Sequence, residues 1–396
     1  MLNKDQQAAF EAINNSKPGS WFFVTGGAGT GKSYLIDYLK RKLFGNIVVT
    51  ATTGAAAQLI GGRTLHSWAQ IIEGKGVASL TLKAMTRMRF VDFLIIDEIS
   101  MASAELINLL IGRFRAVDNH PTVILVGDLL QLPPVKGQYV FTHPIWEKVK
   151  VLKLTINHRQ DSGSEFLQAL NDLRYANITD RVRALIEART VDKLPDDCTH
   201  LHGHNHGVDS TNERRLQELV AGTKETFESV GRKIQAFPDA QIKWDRFRLP
   251  ERLLICRGAR IVMLANSSEG EFVNGSTGEV LDWGFSHDGE EDIQVQLDNG
   301  NWVSVQRSTE TMLGGDGKIQ ATMKQFPMKL AWAITVHKAQ GLTMDRVGVD
   351  LDGHFAPGMT YVALSRCRSV EGLFLVGKFK YCPLPLEITE QLYGRR

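Results

Sequence analysis

Residues 19–44, GSWFFVTGGAGTGKSYLIDYLKRKLF, join an apolar, β-rich run to a glycine-rich turn and then to apolar residues at helical spacing. The run ends at Thr25, Gly26-x4-Gly31-Lys32-Ser33 follows, and Leu35, Tyr38, Leu39 and Leu43 recur as on one face of a helix. Strand, loop and helix in that order is the setting in which a phosphate loop works. Glycines let backbone N–H groups turn inward around an anion at the positive end of the helix. Gly26, Gly27, Ala28, Gly29, Thr30 and Gly31 are therefore expected to cradle the phosphates of ATP. Lys32 is expected to reach the β- and γ-phosphates and Ser33 to ligate Mg²⁺.

Working outward, NIVVTAT, TGAAAQLIGG, FLIIDEIS, SAELINLLIGRFRAV and TVILVGD alternate strand-like and helix-like patterns. That alternation predicts an α/β fold with a parallel sheet covered on both faces, whose ligands gather at the carboxyl ends of the strands. Asp97 and Glu98 fall there, directly after FLII, as do Asp128 and Gln131 in GDLLQLPPV. Asp97 suits Mg²⁺ and Glu98 suits the base that polarises an attacking water.

The chain has 396 residues, room for two or three domains with a large core. Its 46 lysines and arginines nearly balance 44 acidic residues, so affinity for a polyanion must come from a local groove and not from bulk charge. Cys198, Cys256, Cys367 and Cys382 form no CxxC pair, which reads as reduced structural thiols of a cytoplasmic protein. The amphipathic start, MLNKDQQAAFEAI, lacks an apolar signal core, and no apolar run approaches the ~18 residues of a membrane span.

GGAGTGKS, TLHSWA, IIDEIS, GDLLQLPPV, HRQDSGSEFLQALNDLRYANI, FPMKLAWAITVHKAQGLT and YVALSR occur in that order between Leu2 and Leu373. Together they resemble the petite-integration-frequency (PIF) DNA helicases, of the RecD-like, Dda-like branch of superfamily 1. The resemblance implies two RecA-like domains with ATP and Mg²⁺ between them. Position by position, it implies that Gln6 hydrogen-bonds adenine and that Gln131 senses the γ-phosphate. It further implies that Arg159 in LTINHRQ and Arg366 in ALSR reach that phosphate from the second domain. A guanidinium delivered across a cleft can neutralise the charge of a phosphoryl transition state, so closure and hydrolysis would be coupled. Met359 and Ala339 depart from the family pattern, where glutamine and serine are usual.

For the DNA face the resemblance points to Thr53 and Gly54, His66, Asn205, and His337 with Lys338, on segments lining a single-strand groove. Phosphates there are held by amides, hydroxyls and cations, and bases stack without needing sequence. Trp68 is read as core. The stretch THLHGHNHGVD carries His200, His202, His204 and His206 at a spacing that would project all of them from one strand face. No cysteine or carboxylate at ligand spacing accompanies them, so they are read as partly exposed imidazoles at a strand end and not as a zinc site.

The periodicity changes between Gly258 and Arg307, where IQVQLDNGNWVSVQR reads as two strands joined at Asn299-Gly300. Set beside this change, the resemblance implies a first RecA-like domain over residues 1–155 with a short wedge insert at about 70–90, and a second over 156–250 and 326–396. A small β-barrel over 251–325 interrupts the second. Helix is expected from Pro327 through LAWAITVHKAQ to Gly341. The function expected is an ATP-dependent, 5′-to-3′ DNA helicase, monomeric in solution, serving replication, recombination or repair. Its partners would be single-stranded DNA and tailed or forked duplexes, and its compact length leans towards a bacterial or phage source. A DNA-stimulated ATPase subunit or scaffold without independent unwinding is the alternative. A P-loop kinase or GTPase fits less well, because it needs one core domain and the guanine-reading Asn-Lys-x-Asp is absent.

Overall fold

The computed structural model describes residues 2–388, except 54–55, 58–59, 61–62, 72–79, 135–136, 157–164, 224, 237–241, 243, 245–246, 266, 268, 273–275, 287, 299, 314–318, 381 and 383–387. The first unit contains helix α1 (Lys4–Asn14), strand β1 (Trp21–Thr25), α2 (Lys32–Lys42), β2 (Ile47–Ala51), β3 (Arg63–Thr64), α3 (Leu65–Ala69) and α4 (Leu82–Arg89). It continues through β4 (Phe93–Asp97), α5 (Ala104–Ala116), β5 (Thr122–Gly127) and β6 (Val149–Lys153). Its strands lie in the order β3-β2-β4-β5-β1-β6, and every pair is parallel.

The central strands β1, β4 and β5 are apolar at nearly every position because both faces are covered, whereas the edge strand β6 exposes Lys150 and Lys153. Phe22, Val24, Ile95, Ile124 and Val126 pack with Ile13, Leu35 and Leu39 on one face. Trp21, Phe23, Leu94, Ile96, Val123 and Leu125 pack with Leu106, Ile107 and Leu110 on the other. Trp68 belongs to that second layer, its ring 6.1 Å from that of Phe114. Of the stretch expected to form a wedge, residues 72–79 lie outside the described residues, whereas α4 is formed and leaves Leu82 exposed.

The second unit begins with α6 (Glu165–Arg174), α7 (Asp180–Arg189), β7 (Thr199–His202) and α8 (Asn205–Thr223). The antiparallel strands β8 (Phe227–Val230), β9 (Arg232–Gln235), β10 (Arg252–Ile255), β11 (Arg260–Met263), β12 (Thr277–Phe285) and β13 (Glu291–Leu297) follow. Four more, β14 (Trp302–Gln306), β15 (Ser308–Leu313), β16 (Ile319–Gln325) and β17 (Met328–Leu330), complete that run. The chain then returns through β18 (Ala333–Thr335), α9 (Val336–Ala339), β19 (Val347–Asp350), α10 (Met359–Leu364) and β20 (Leu373–Val376). Strands β18-β7-β19-β20 make a second parallel sheet. Asn212 ties α8 to it, donating to the Ala333 carbonyl at 3.0 Å and accepting from the Ala333 N–H at 2.9 Å.

Three boundaries differ from the sequence expectation. Strands β8 and β9 pair with β10 and β16, and β17 pairs with β11, so the antiparallel unit reaches from Phe227 to Leu330 and not only over 251–325. These strands carry mixed faces such as FESV and RKIQ, and their partners lie far along the chain, so no local alternation marks them. The stretch from Pro327 to Gly341, expected as helix, holds strand β17 ending at Leu330, strand β18 and the four-residue α9, because short runs buried on both faces carry no helical period. Finally, Ile388 is buried in the first unit's core, so the end of the second unit crosses back to the first. The expected hairpin is present, with β13 paired to β14, although Asn299 itself lies outside the described residues.

The histidines diverge because β7 stops at His202 and α8 starts at Asn205. His200 is buried, with Nε2 2.8 Å from the Pro195 carbonyl, and so is not the partly exposed imidazole expected. His202 Nδ1 meets Asp350 at 3.2 Å, and His204 stacks on Phe355 at 4.6 Å. Cys198 and Cys367 are buried, which pushes their thiols up to about 12 and about 11.

Candidate active site in the cleft between the parallel sheets

The phosphate loop leaves β1 at Thr25 and enters α2 at Lys32. Gly26 is required by contact: a Cβ there would lie 2.6 Å from the Leu154 carbonyl and 2.5 Å from Thr30 Oγ1. Lys32 Nζ donates to the carbonyls of Gly26 and Gly27 at 2.8 and 3.0 Å, which holds the ammonium inside the loop. Burial pulls its pKa below the ordinary value, against the opposing pull of Asp128 and Glu98. Ser33 is exposed at the start of α2. Gln6 is buried beside the loop, its Nε2 3.4 Å from the Gly31 carbonyl, while its Oε1 accepts from Asn3 N to close the capping box of α1.

Asp97 and Glu98 follow from β4. Burial, reinforced by the neighbouring Glu98 charge, raises the Asp97 carboxyl to about 7, although the Glu98 N–H donated to its Oδ1 at 2.9 Å works the other way. The backbone of Glu98 is left-handed (φ 52°), a conformation uncommon for a residue with a side chain and concentrated at functional sites. Gln131 is buried after β5, in the turn that opens at Asp128.

The second sheet meets this edge through three residues that sequence reasoning did not assign. Gln340, which caps α9, donates from Nε2 to Glu98 Oε2 at 2.9 Å and to Gln131 Oε1 at 3.2 Å. Arg174, at the end of α6, grips Asp128 with two hydrogen bonds of 2.8 and 3.0 Å. Tyr361 in α10 accepts from the Ala28 N–H at 3.0 Å and donates to Asp128 Oδ2 at 3.4 Å, and burial pushes its phenol up to about 12. Arg174 and Tyr361 therefore lie over the loop, beside a half-open cavity of about 390 Å³ that is also lined by Thr30, Thr155, Arg181 and Ser365. The approach is close enough that a Cβ on Gly358 (φ 73°) would lie 2.5 Å from the Leu130 carbonyl. All three residues lie inside stretches of recognisable pattern, DLRY, KAQG and YVALSR, yet no spacing connects them to Asp128, Glu98 or Ala28.

Of the expected cross-domain arginines, Arg366 is buried, with Nε 2.8 Å from the Val362 carbonyl, Nη1 3.2 Å from the Leu342 carbonyl and Nη2 2.8 Å from Ser365 Oγ. Arg159 lies outside the described residues. The departures Met359 and Ala339 are both fully buried in the second unit's core. For the expected DNA face, Thr53 follows β2 and accepts from Ala56 N, and His66 sits half-buried in α3 after β3. Asn205 is exposed at the start of α8. His337 and Lys338 lie in α9, with Lys338 exposed and His337 6.4 Å from Phe355. Each follows the carboxyl end of a parallel strand, whereas Gly54 lies outside the described residues.

A family model for PIF1-like helicases matches residues 1–185. The chain is 35% identical over 400 residues to the ATP-dependent DNA helicase Pif1 of Bdellovibrio bacteriovorus, covering 95% of this chain and 88% of that protein. The chain belongs to the Pif1-like helicase family. The human ATP-dependent DNA helicase PIF1 is 35% identical over 94% of this chain, which spans 60% of the human protein's length. Among solved Pif1 structures, a Bacteroides Pif1 in complex with ADP-AlF3 and ssDNA superposes with a TM-score of 0.71 at 28% identity, covering 100% of this chain and 98% of that one. Two parallel sheets facing each other across the phosphate loop are thus the Pif1 architecture, with antiparallel strands inserted in the second.

Proposed function

We infer that this Pif1-family chain, an ATP-dependent DNA helicase, translocates 5′ to 3′ along single-stranded DNA and unwinds tailed or forked duplexes. The observation that carries the reading is the junction at the cleft. Glu98, Gln131, Asp128 and the loop amide of Ala28 come from the first sheet, and all are contacted by side chains of the second. A nucleotide at the loop would therefore alter the fit of the two sheets, and Thr53, His66, Asn205, His337 and Lys338, which follow strands of those sheets, would together with Gly54 hold the DNA strand. The Bacteroides relative solved with ADP-AlF3 and ssDNA supports the same pairing of ligands.

Within this reading Gln6 meets adenine, residues 26–31 and Lys32 hold the phosphates, and Glu98 takes the proton of the attacking water. Gln131, Arg159 and Arg366 answer to the γ-phosphate, and Arg366 must exchange its carbonyl partners to do so. Mg²⁺ would be held by Ser33 and Asp97, a hard-oxygen pair, and would neutralise charge on the phosphates. The buried Asp97 carboxylate, whose ionisation is opposed by its surroundings, fits a neighbouring cation. The antiparallel unit acts as a barrel-like clamp on the strand, the residues near 70–90 act as the wedge, and the protein works as a monomer in the cytoplasm. The test is unwinding of duplexes with a single 5′ or 3′ tail. A 5′ tail should support unwinding, and efficient unwinding from 3′ tails alone would refute the polarity. ATPase stimulated by DNA without unwinding of either would favour a non-unwinding subunit.

A further inference from the structure

Gln340 is 4% exposed and sits in the hydrolytic cleft although it belongs to the second sheet. A carboxylate only accepts hydrogen bonds, so the atom 2.9 Å from Glu98 Oε2 is the amide nitrogen, as is the atom 3.5 Å from Ser100 Oγ. The same nitrogen faces Gln131 at 3.2 Å, which fixes that side chain with its oxygen towards Gln340 and its NH₂ turned away. The Gln340 Oε1 is then an acceptor in the cleft, buried and without a hydrogen-bond partner among the described residues. A buried acceptor left without a partner is destabilising, so its retention calls for a donor that arrives with function.

We propose that Gln340 orients the attacking water, its Oε1 holding one water hydrogen while Glu98 takes the other. This rests on the helicase reading and deepens it. The water oxygen bonds to the γ-phosphorus as the bond from that phosphorus to the bridging oxygen breaks, and the electron pair leaves with ADP. One water proton passes to Glu98, and the other stays on the new phosphate. The Nε2 contacts set the rotamer of Glu98 and the amide orientation of Gln131, so that Gln131 presents its donor to the γ-phosphate. Gln340 also caps the single turn of α9 that carries His337 and Lys338. A strand seated on those residues fixes the turn and with it the water's acceptor, which makes hydrolysis depend on DNA.

The experiment compares the parent chain with Gln340→Met, which keeps the side chain's length and apolar fit, in ATP turnover at saturating single-stranded DNA. Gln340→Met should lower kcat by about 100-fold or more, the range for losing one preorganised hydrogen-bonding group at the reacting atoms. Its KM for ATP and its affinity for a fluorescent oligonucleotide should stay within about two-fold, as for a group that acts only in the transition state. Gln340→Glu keeps an oxygen but loses the donor, and should be no faster. The Glu98→Gln, Gln340→Met double variant should be no slower than Glu98→Gln alone, because both act on one water. A Met variant with kcat within two-fold of the parent, a loss confined to KM, or fully additive losses in the double variant would overturn the proposal. A parent whose ATPase ignores DNA would overturn the helicase reading itself, and this assignment with it.

Discussion

Replacing Arg174 with methionine tests whether the buried ion pair with Asp128 holds the two sheets together. The side chains are 7% and 0% exposed and the two hydrogen bonds are 2.8 and 3.0 Å, so the pair is desolvated and bidentate. At an effective dielectric constant of ~20, unit charges at this separation attract by about 6 kcal/mol gross. The measurable cost of removing one partner is about 3–5 kcal/mol, mostly from stranding the other charge. At about 1.4 kcal/mol per factor of ten, the docked arrangement loses between about 100-fold and several thousand-fold in population. Each sheet keeps its own core, so the loss should appear in small-angle scattering as a larger radius of gyration and in a lower kcat, with both domains still folded by circular dichroism. Removing the stranded charge as well, in Arg174→Met with Asp128→Leu, should recover part of the docking. An Arg174→Met chain with the parent's scattering profile and ATPase would refute the claim that this pair closes the cleft.

Lys32→Ala should weaken nucleotide binding and abolish turnover, whereas Glu98→Gln should bind ATP and lose roughly 100- to 10,000-fold in hydrolysis; nucleotide titration beside steady-state ATPase separates the two. Arg366→Ala and Arg159→Ala should each retain single-strand affinity while losing ~10³-fold or more in ATPase, and lysine should rescue poorly because it lacks the planar fork; undiminished turnover in Arg366→Ala would remove its role at the γ-phosphate. Burial lowers His354 from the usual 6.5 to about 4, against the pull of Asp350, so the folded chain resists protonating it. Its share of stability is full above about pH 6.5 and lost as pH falls through 4, about 3 kcal/mol in all, and urea melts at pH 7 and 4.5 should converge in His354→Asn relative to the parent.

The phosphate loop, the carboxylates after FLII and the doubly covered parallel sheet were legible because each is local. A glycine pattern between a strand and a helix, or an apolar run of five residues ending in acid, announces its own conformation and its place at the strand's carboxyl end. The hairpin of β13 and β14 was legible for the same reason, its two strands being neighbours in the chain. Strands β8 and β9 were not, since their faces are mixed and their partners lie beyond intervening elements. The LAWAIT strand was misread because burial on both faces erases the period that separates helix from strand. The roles of Gln340, Arg174 and Tyr361 belong to tertiary structure alone. Each meets its partner across 46 to 333 residues of chain, where only the docking of two sheets brings the groups within hydrogen-bond reach. A motif fixes which atoms a loop can offer, but which second surface desolvates them is set by packing, and no residue pattern in either half encodes the other.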